Sequence, residues 1–188
     1  MEYEGDNYYI EKVLAGQTNY FSYLVDRYQN IVFSIALKVL KNREDAEEMA
    51  QESFIKVYKS LNSFRGKAKF STWLYRITYN TCISATRKKK YHFTSTDDIQ
   101  IEDDSQDINL DGIPEENRAR YIQAALEKLS EDEYTLVLLF YFEDQTIEEV
   151  SKVTGLSESN TKVKLYRARK KLYKILSDML KGELHTIL

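Results

Sequence analysis

Proline and cysteine each occur once in this chain, histidine twice and glycine six times among 188 residues. The single Cys82 excludes an intramolecular disulfide, and His92 and His185 form no cluster with zinc-ligand spacing, so neither a metal nor any other cofactor is expected. The longest apolar run, Leu136 to Phe142, falls far short of the roughly 20 residues that a membrane helix needs. The acidic start Met1-Glu2-Tyr3-Glu4 lacks the basic and apolar regions of a signal peptide, which predicts a cytoplasmic protein without membrane insertion. What is abundant complements these absences. Apolar residues make up 43% and charged residues 30%, enough for a core and a solvated surface, and the length allows one ordinary domain or two small ones. With few helix breakers, and with many of the 15 tyrosines at helix-compatible spacing, the chain is expected to be all-α.

A net charge of only -3 conceals strong segregation. Lys56, Lys59, Arg65, Lys67, Lys69, Arg76, Arg87, Lys88, Lys89 and Lys90 fall in a stretch without a single acid. From Thr94 to Asn117 there are nine acids and no Lys or Arg, together with the turn signal Asp111-Gly112-Ile113-Pro114 and no sustained apolar periodicity. This predicts two small helical domains, 1–93 and 118–188, joined by an acidic flexible linker, 94–117. A second acid-free block follows in Asn160 to Lys174. Lys and Arg near a helix C-terminus often do no more than offset its dipole. Two separate blocks in an acidic chain point instead to phosphates, because neutralising them requires locally concentrated cations rather than a basic total.

The second domain carries a helix-turn-helix pattern. Ser130 with Glu133 and Thr146 with Glu149 have capping-box spacing and mark two helix starts. Tyr134, Val137, Leu138 and Tyr141 form the core stripe of the first helix, and Ile147, Val150 and Val153 that of the second. Gly155 ends the second helix, Leu156 plugs the turn, and Ser157 caps a longer third helix. Thr161, Leu165, Ala168, Leu172 and Ile175 cluster on one side of that helix, while Asn160, Val163, Tyr166, Arg167, Lys170 and Lys174 lie on the other. The second side is either a solvated basic face or a surface for the major groove and its phosphates.

In the first domain, Leu24, Tyr28, Ile31, Ile35 and Val39 predict a long core helix over 20–40. Over 44–61, Ala46, Met49, Ser53, Phe54, Val57 and Leu61 form one face and Glu48, Gln51, Glu52, Ile55 and Lys59 the opposite one. A stripe facing water and a surface for docking another protein's helix pair both fit this outer face. Asn62 to Phe70 interleaves Arg65, Lys67 and Lys69 with Phe64 and Phe70 around Gly66, and Ser71 or Thr72 is positioned to cap a helix running to about Lys89. Cations among aromatics suit single-stranded DNA, although Trp73, Leu74 and Ile77 at helix spacing also read as core, and Phe64 and Phe70 as anchors.

The run Asp45-Ala46-Glu47-Glu48-Met49-Ala50-Gln51-Glu52-Ser53-Phe54, then Phe64 and Ser71-Thr72-Trp73-Leu74-Tyr75-Arg76-Ile77, resembles the first conserved domain of the extracytoplasmic-function sigma factors. Leu129-Ser130, Ile147-Glu148-Glu149-Val150, Gly155-Leu156-Ser157 and Tyr166-Arg167-Ala168-Arg169-Lys170-Lys171-Leu172 resemble their second domain, in the same order and at matching separations. The resemblance implies a transcription initiation factor without chemistry of its own, which binds core RNA polymerase and directs it to promoter DNA. It implies that Asp45, Glu48, Gln51, Glu52 and Ile55 meet the clamp helices of the largest polymerase subunit, and that the second-largest subunit's flap and an anti-sigma factor are further partners. Asn62, Ser63, Phe64, Arg65, Lys67, Lys69, Phe70 and Trp73 would take flipped-out bases of the melted -10 element, with Asn80, Arg87 and Lys88 supporting the adjacent duplex and strand. Ser157, Asn160, Lys162, Val163, Tyr166, Arg167, Lys170 and Lys174 would read the -35 element, while the acidic linker threads the polymerase channel.

Two departures bear on specificity. The family often has Thr-Val-Lys-Ser-Arg where this chain reads Asn160-Thr161-Lys162-Val163-Lys164, and an often acidic position is Ser84. Three other functions fit part of the pattern: a self-sufficient helix-turn-helix regulator, an adaptor that keeps only the docking stripe, and a metal-dependent nuclease using Glu44, Asp45, Glu47 and Glu48. Successive helical positions diverge, which argues against the nuclease.

Overall fold

The computed structural model describes residues 5–87 and 115–184. All regular structure among them is helical, in agreement with the all-α expectation. In chain order the helices are α1 (Asp6–Leu14), α2 (Phe21–Leu40), α3 (Arg43–Ser60), α4 (Phe70–Arg87), α5 (Glu115–Glu127), α6 (Glu131–Val137), α7 (Ile147–Thr154) and α8 (Glu158–Leu184). The chain divides into two compact units, Met1–Thr94 with Glu148–Gly155, and Ser95–Ile147 with Leu156–Leu188. The expected acidic linker lies outside the described residues apart from its last three positions.

In the first unit α2, α3 and α4 pack on one another. Leu24, Val32, Ile35, Ala36 and Val39 of α2 are buried, as are Ala46, Ala50, Ser53 and Val57 of α3 and Leu74, Tyr75, Thr78 and Cys82 of α4. Lys41 ends α2 by entering the left-handed region at φ 56° while its N–H donates to the Leu37 carbonyl at 2.8 Å. Asn42 then caps α3, its side chain accepting the Asp45 N–H at 2.9 Å, with Glu44 and Asp45 favourably placed in the first turn. The expected cap of α4 at Ser71 or Thr72 is not realised. Phe70 is already helical and buried, so both hydroxyl residues fall inside the first turn. The sequence pattern also misses α1, which is tied to α2 because the Asp6 carboxylate accepts hydrogen bonds from Arg27 and from the Tyr28 hydroxyl. Burial pushes the Tyr28 hydroxyl well above its ordinary pKa, and the neighbouring Asp6 adds to the shift.

The second unit buries Leu126, Leu129, Val137 and Ala168 in one cluster and Tyr121, Ala125 and Leu176 in another, so α8 is covered by α5 and α6. The Ser130 and Glu133 capping box forms at the start of α6, with Ser130 Oγ accepting from the Glu133 N–H and Glu133 Oε2 from the Ser130 N–H at 2.8 Å. Tyr141 departs from its expected core position and is 48% exposed. The cause is a π-helical turn at Leu138–Phe142, closed by the Glu143 N–H on the Leu138 carbonyl at 3.1 Å. The wider turn rotates the following side chains off the α-helical stripe, leaving Leu138 and Leu139 buried and Tyr141 and Phe142 in solvent. The helix α7, which apart from Ile147 groups with the first unit, buries Val150 and Val153, and Gly155 turns the chain at φ 76°, where a side chain would be strained. Ser157 caps α8 by accepting the Asn160 N–H at 3.2 Å, which completes the expected order of short helix, glycine turn and long helix.

Candidate docking and nucleic-acid interfaces

The outer face of α3 exists because its inner face is fully used. With Ala46, Ala50, Ser53 and Val57 buried, helical geometry turns Glu48, Gln51, Glu52 and Ile55 outward. Glu48 and Gln51 are exposed and Asp45 and Glu52 half-exposed, the latter ion-paired to Lys56 at 3.6 Å. Ile55 is 46% exposed, an apolar side chain among acids. Beside this stripe, α2 and α3 enclose a shallow groove of about 310 Å³ whose lining includes Phe33, Ala50, Gln51 and Phe54. The structure therefore brings all five expected docking residues onto one accessible side of the helix.

The expected single-strand reader is more mixed. Asn62 and Ser63 lie exposed in the 3-10 turn Leu61–Ser63, where the Ser63 hydroxyl donates to the Ser60 carbonyl at 2.6 Å. Arg65, Lys67 and Lys69 are exposed around Gly66, which holds φ 67°. Behind them the rings of Phe64, Phe70 and Trp73 contact one another at centroid distances of 5.3 to 6.0 Å. Phe64 and Trp73 are half-buried, but Phe70 is only 3% exposed and also contacts Tyr28, which makes it an anchor with no face left for a base. Asn80 is exposed on α4. Lys88 and the side chain of Arg87 lie outside the described residues.

On α8, Thr161, Leu165 and Ala168 are buried and Leu172 and Ile175 half-buried, as the periodicity predicts. Lys162, Lys170, Lys174 and the capping Ser157 are exposed, while Asn160, Val163, Tyr166 and Arg167 are half-exposed. Arg169 and Lys170 each lie 5.9 Å from the centroid of the Tyr166 ring, a cation-π arrangement that steadies the middle of the basic face. Two cations of the block have another use that sequence inspection overlooked. Lys164 pairs with Asp132 at 3.4 Å and Lys171 with Glu133 at 2.7 Å. The only hint was the run Glu131-Asp132-Glu133, which resembled an ordinary acidic first turn. Burial pushes the Glu133 carboxyl up, but hydrogen bonds from Lys171 and Ser130 outweigh it and hold the group below its ordinary range.

Among the described residues no group of His, Cys, Asp or Glu could hold a metal ion, and no helix is long and apolar enough to cross a membrane. Residues 24–91 match the Sigma-70 region 2 family model, and residues 119–172 match Sigma-70, region 4. The chain is 30% identical to the ECF RNA polymerase sigma factor SigW of Bacillus subtilis, over 90% of this chain and 96% of that protein. It is 27% identical to the RNA polymerase sigma-H factor of Pseudomonas aeruginosa, over 95% and 97% respectively. In fold it is similar to CnrH, solved in complex with the cytosolic domain of CnrY, with a TM-score of 0.63 at 20% identity over 93% of this chain and 99% of that one. The sigma factor RpoE of Bartonella quintana, solved with the anti-sigma factor NepR, gives a TM-score of 0.60 at 20% identity over 84% and 96%. Two sigma regions in their family order set aside the self-sufficient regulator. The chain belongs to the extracytoplasmic-function RNA polymerase sigma factors, transcription initiation factors that bind core polymerase and promoter DNA.

Proposed function

We propose that residues 1–93 dock on the clamp helices of the largest polymerase subunit and open the -10 element, and that residues 118–188 read the -35 element. The flap of the second-largest subunit would meet the second domain, and the acidic linker would thread the polymerase channel. The observation that carries the docking role is Ile55, held 46% exposed among Asp45, Glu48, Gln51 and Glu52 on a helix whose other face is filled. An exposed apolar side chain ringed by polar ones suits a protein partner better than water. Asn62, Ser63, Arg65, Lys67 and Lys69 are exposed and available to a melted strand, with Phe64 and Trp73 half-buried beside them and Phe70 buried as an anchor. Arg167, Lys170 and Lys174 face away from the core of α8 and suit groove and phosphate contacts. Because polymerase holds the catalytic site, this chain needs none, and it acts in the cytoplasm with the chromosome. The similar fold of RpoE, solved with the anti-sigma factor NepR, supports an anti-sigma factor as the regulator.

The decisive experiment reverses Glu48 and Glu52 to Lys in the full chain. Core polymerase capture should fall by about tenfold or more, since interfacial charge pairs of this kind are worth about 1.5 kcal/mol and upward. Helicity should be unchanged, because both side chains lie opposite the buried face. Undiminished capture by the folded variant would return the stripe to a plain solvated face.

A further inference from the structure

We propose that Lys164 and Lys171 are positioning residues and not phosphate contacts: held by Asp132 and Glu133, they set how α8 presents its groove-facing side. This rests on the reading of α8 as the helix that meets duplex DNA. The two lysines are seven residues apart, two helical turns, so they project within about 20° of one another, beside the buried Leu165 and Ala168. Their acids are neighbours in the first turn of α6, so a single turn of α6 is gripped at two levels of α8, about 10 Å apart along its axis. The grip is prepared in advance at one end. Glu133 Oε2 already accepts the Ser130 N–H at 2.8 Å in the capping box, and the same oxygen accepts Lys171 Nζ at 2.7 Å. Ordering that carboxylate therefore costs little beyond what the cap requires. Ion pairs this exposed add little to stability, so their consequence is orientation, which a helix entering a groove of fixed width needs. The block Asn160 to Lys174 is thereby sorted by pairing: the half-buried Lys164 and the exposed Lys171 are held by acids of the same unit, while Lys162, Lys170 and Lys174 are exposed and project in other directions around α8.

The test measures promoter binding by reconstituted holoenzyme across a salt series, with melting curves confirming that each variant is folded. The most informative variant is Asp132→Asn. Removing an acid near DNA strengthens binding by simple electrostatics, and doubly so if it frees Lys164 for a phosphate. A positioning role has the opposite sign, with affinity falling about two- to fivefold. Lys164→Gln and Lys171→Gln should weaken binding by a similar factor while leaving the salt slope unchanged, and the exchange Asp132→Lys with Lys164→Asp should restore affinity. By contrast, Lys170→Gln should flatten the slope by about one unit, the signature of a lost phosphate contact. Tighter binding by Asp132→Asn, a flattened slope for Lys164→Gln or Lys171→Gln, or an exchange that fails to restore affinity would each overturn the positioning role. If Lys170→Gln and Arg167→Ala are silent as well, it is the assignment of the DNA face that fails.

Discussion

The two basic surfaces of this protein hold their charges in different ways. In the loop over 62–69, Arg65 and Lys67 stand exposed on irregular backbone, Lys69 pairs with Glu149 at 3.5 Å, and rigidity is delegated mainly to the rings of Phe64, Phe70 and Trp73 behind them. On α8 the backbone is regular, and two of the cations are tied to α6. Under the proposed assignment of the loop to the melted strand and of α8 to the duplex, the contrast matches two states of DNA. Unstacked bases approach in many orientations and are best met by mobile cations over a fixed aromatic floor. A duplex groove has one width and one pitch, and is best met by a helix that cannot roll. The same residue types are thus ordered in different ways, by the rings beneath them in the loop and by the neighbouring helix on α8.

The largest effects should come from removing the interior on which this contrast depends. Leu74 of α4 and Leu139 of the π-helical turn are both fully buried. Truncating either to Ala should cost about 2–5 kcal/mol, measured by denaturant unfolding of the full chain. Ile55→Ala should stay within about 0.5 kcal/mol of the parent in the same measurement, while weakening polymerase capture. A Leu74→Ala protein as stable as its parent would mean that the buried face of α4 is not tightly packed and would weaken the comparison on its first side.

Caps give a smaller effect that separates the two surfaces. Ser130→Ala removes the hydroxyl that accepts the Glu133 N–H and should cost about 1 kcal/mol. Ser63→Ala, whose hydroxyl donates to a carbonyl on an exposed turn, should stay within about 0.5 kcal/mol. Glu133 adds a pH signature. Its carboxyl titrates lower in the folded chain than its ordinary value of 4.5, so its contribution is present above that value and is lost as pH falls through the lower folded one. Stability measured from pH 6 downward should therefore decline less steeply in Lys171→Gln than in the parent.

Much of this organisation was legible because helical periodicity reports which face must be buried. The stripes of α3 and α8, the caps at Ser130 and Ser157 and the turn at Gly155 follow from residue spacing, whereas on α2 the expected Tyr28 and Ile31 are only half-buried and Val32 and Ala36 are buried in addition. What escaped inspection depends on tertiary partners or on a local change of helical period. Tyr141 sits at an α-helical core position, and only the π-helical turn moves it into solvent. Phe70 could have been a base platform until the packing of Tyr28, Phe64 and Trp73 around it showed otherwise. The α1 anchor joins residues more than twenty positions apart through Asp6, Arg27 and Tyr28, a separation that no local pattern encodes. Likewise, Lys164 and Lys171 are indistinguishable in the sequence from their neighbours, and only the approach of α6 sets them apart.

The smallest effect on stability at neutral pH, and the sharpest probe of the first unit alone, comes from Cys82. The thiol is fully buried on the inner side of α4, and burial pushes it up to about 12, with the nearby Lys56 opposing the shift only in part. A thiol held protonated and out of contact with solvent reacts only after local opening, because the thiolate is the nucleophile. Alkylation by iodoacetamide at pH 8 should therefore be slow in the parent and accelerate in Leu74→Ala, whose destabilised core opens more often. The raised value contributes stability that is complete below the ordinary thiol value of 9 and is lost as pH rises through about 12. Stability should accordingly show no pH dependence from this thiol between pH 6 and 8, and Cys82 should begin to weaken the fold above about pH 9, where the thiol of the unfolded chain ionises first. Rapid stoichiometric alkylation of the native parent at pH 8 would mean that the inner face of α4 around Cys82 is open to solvent.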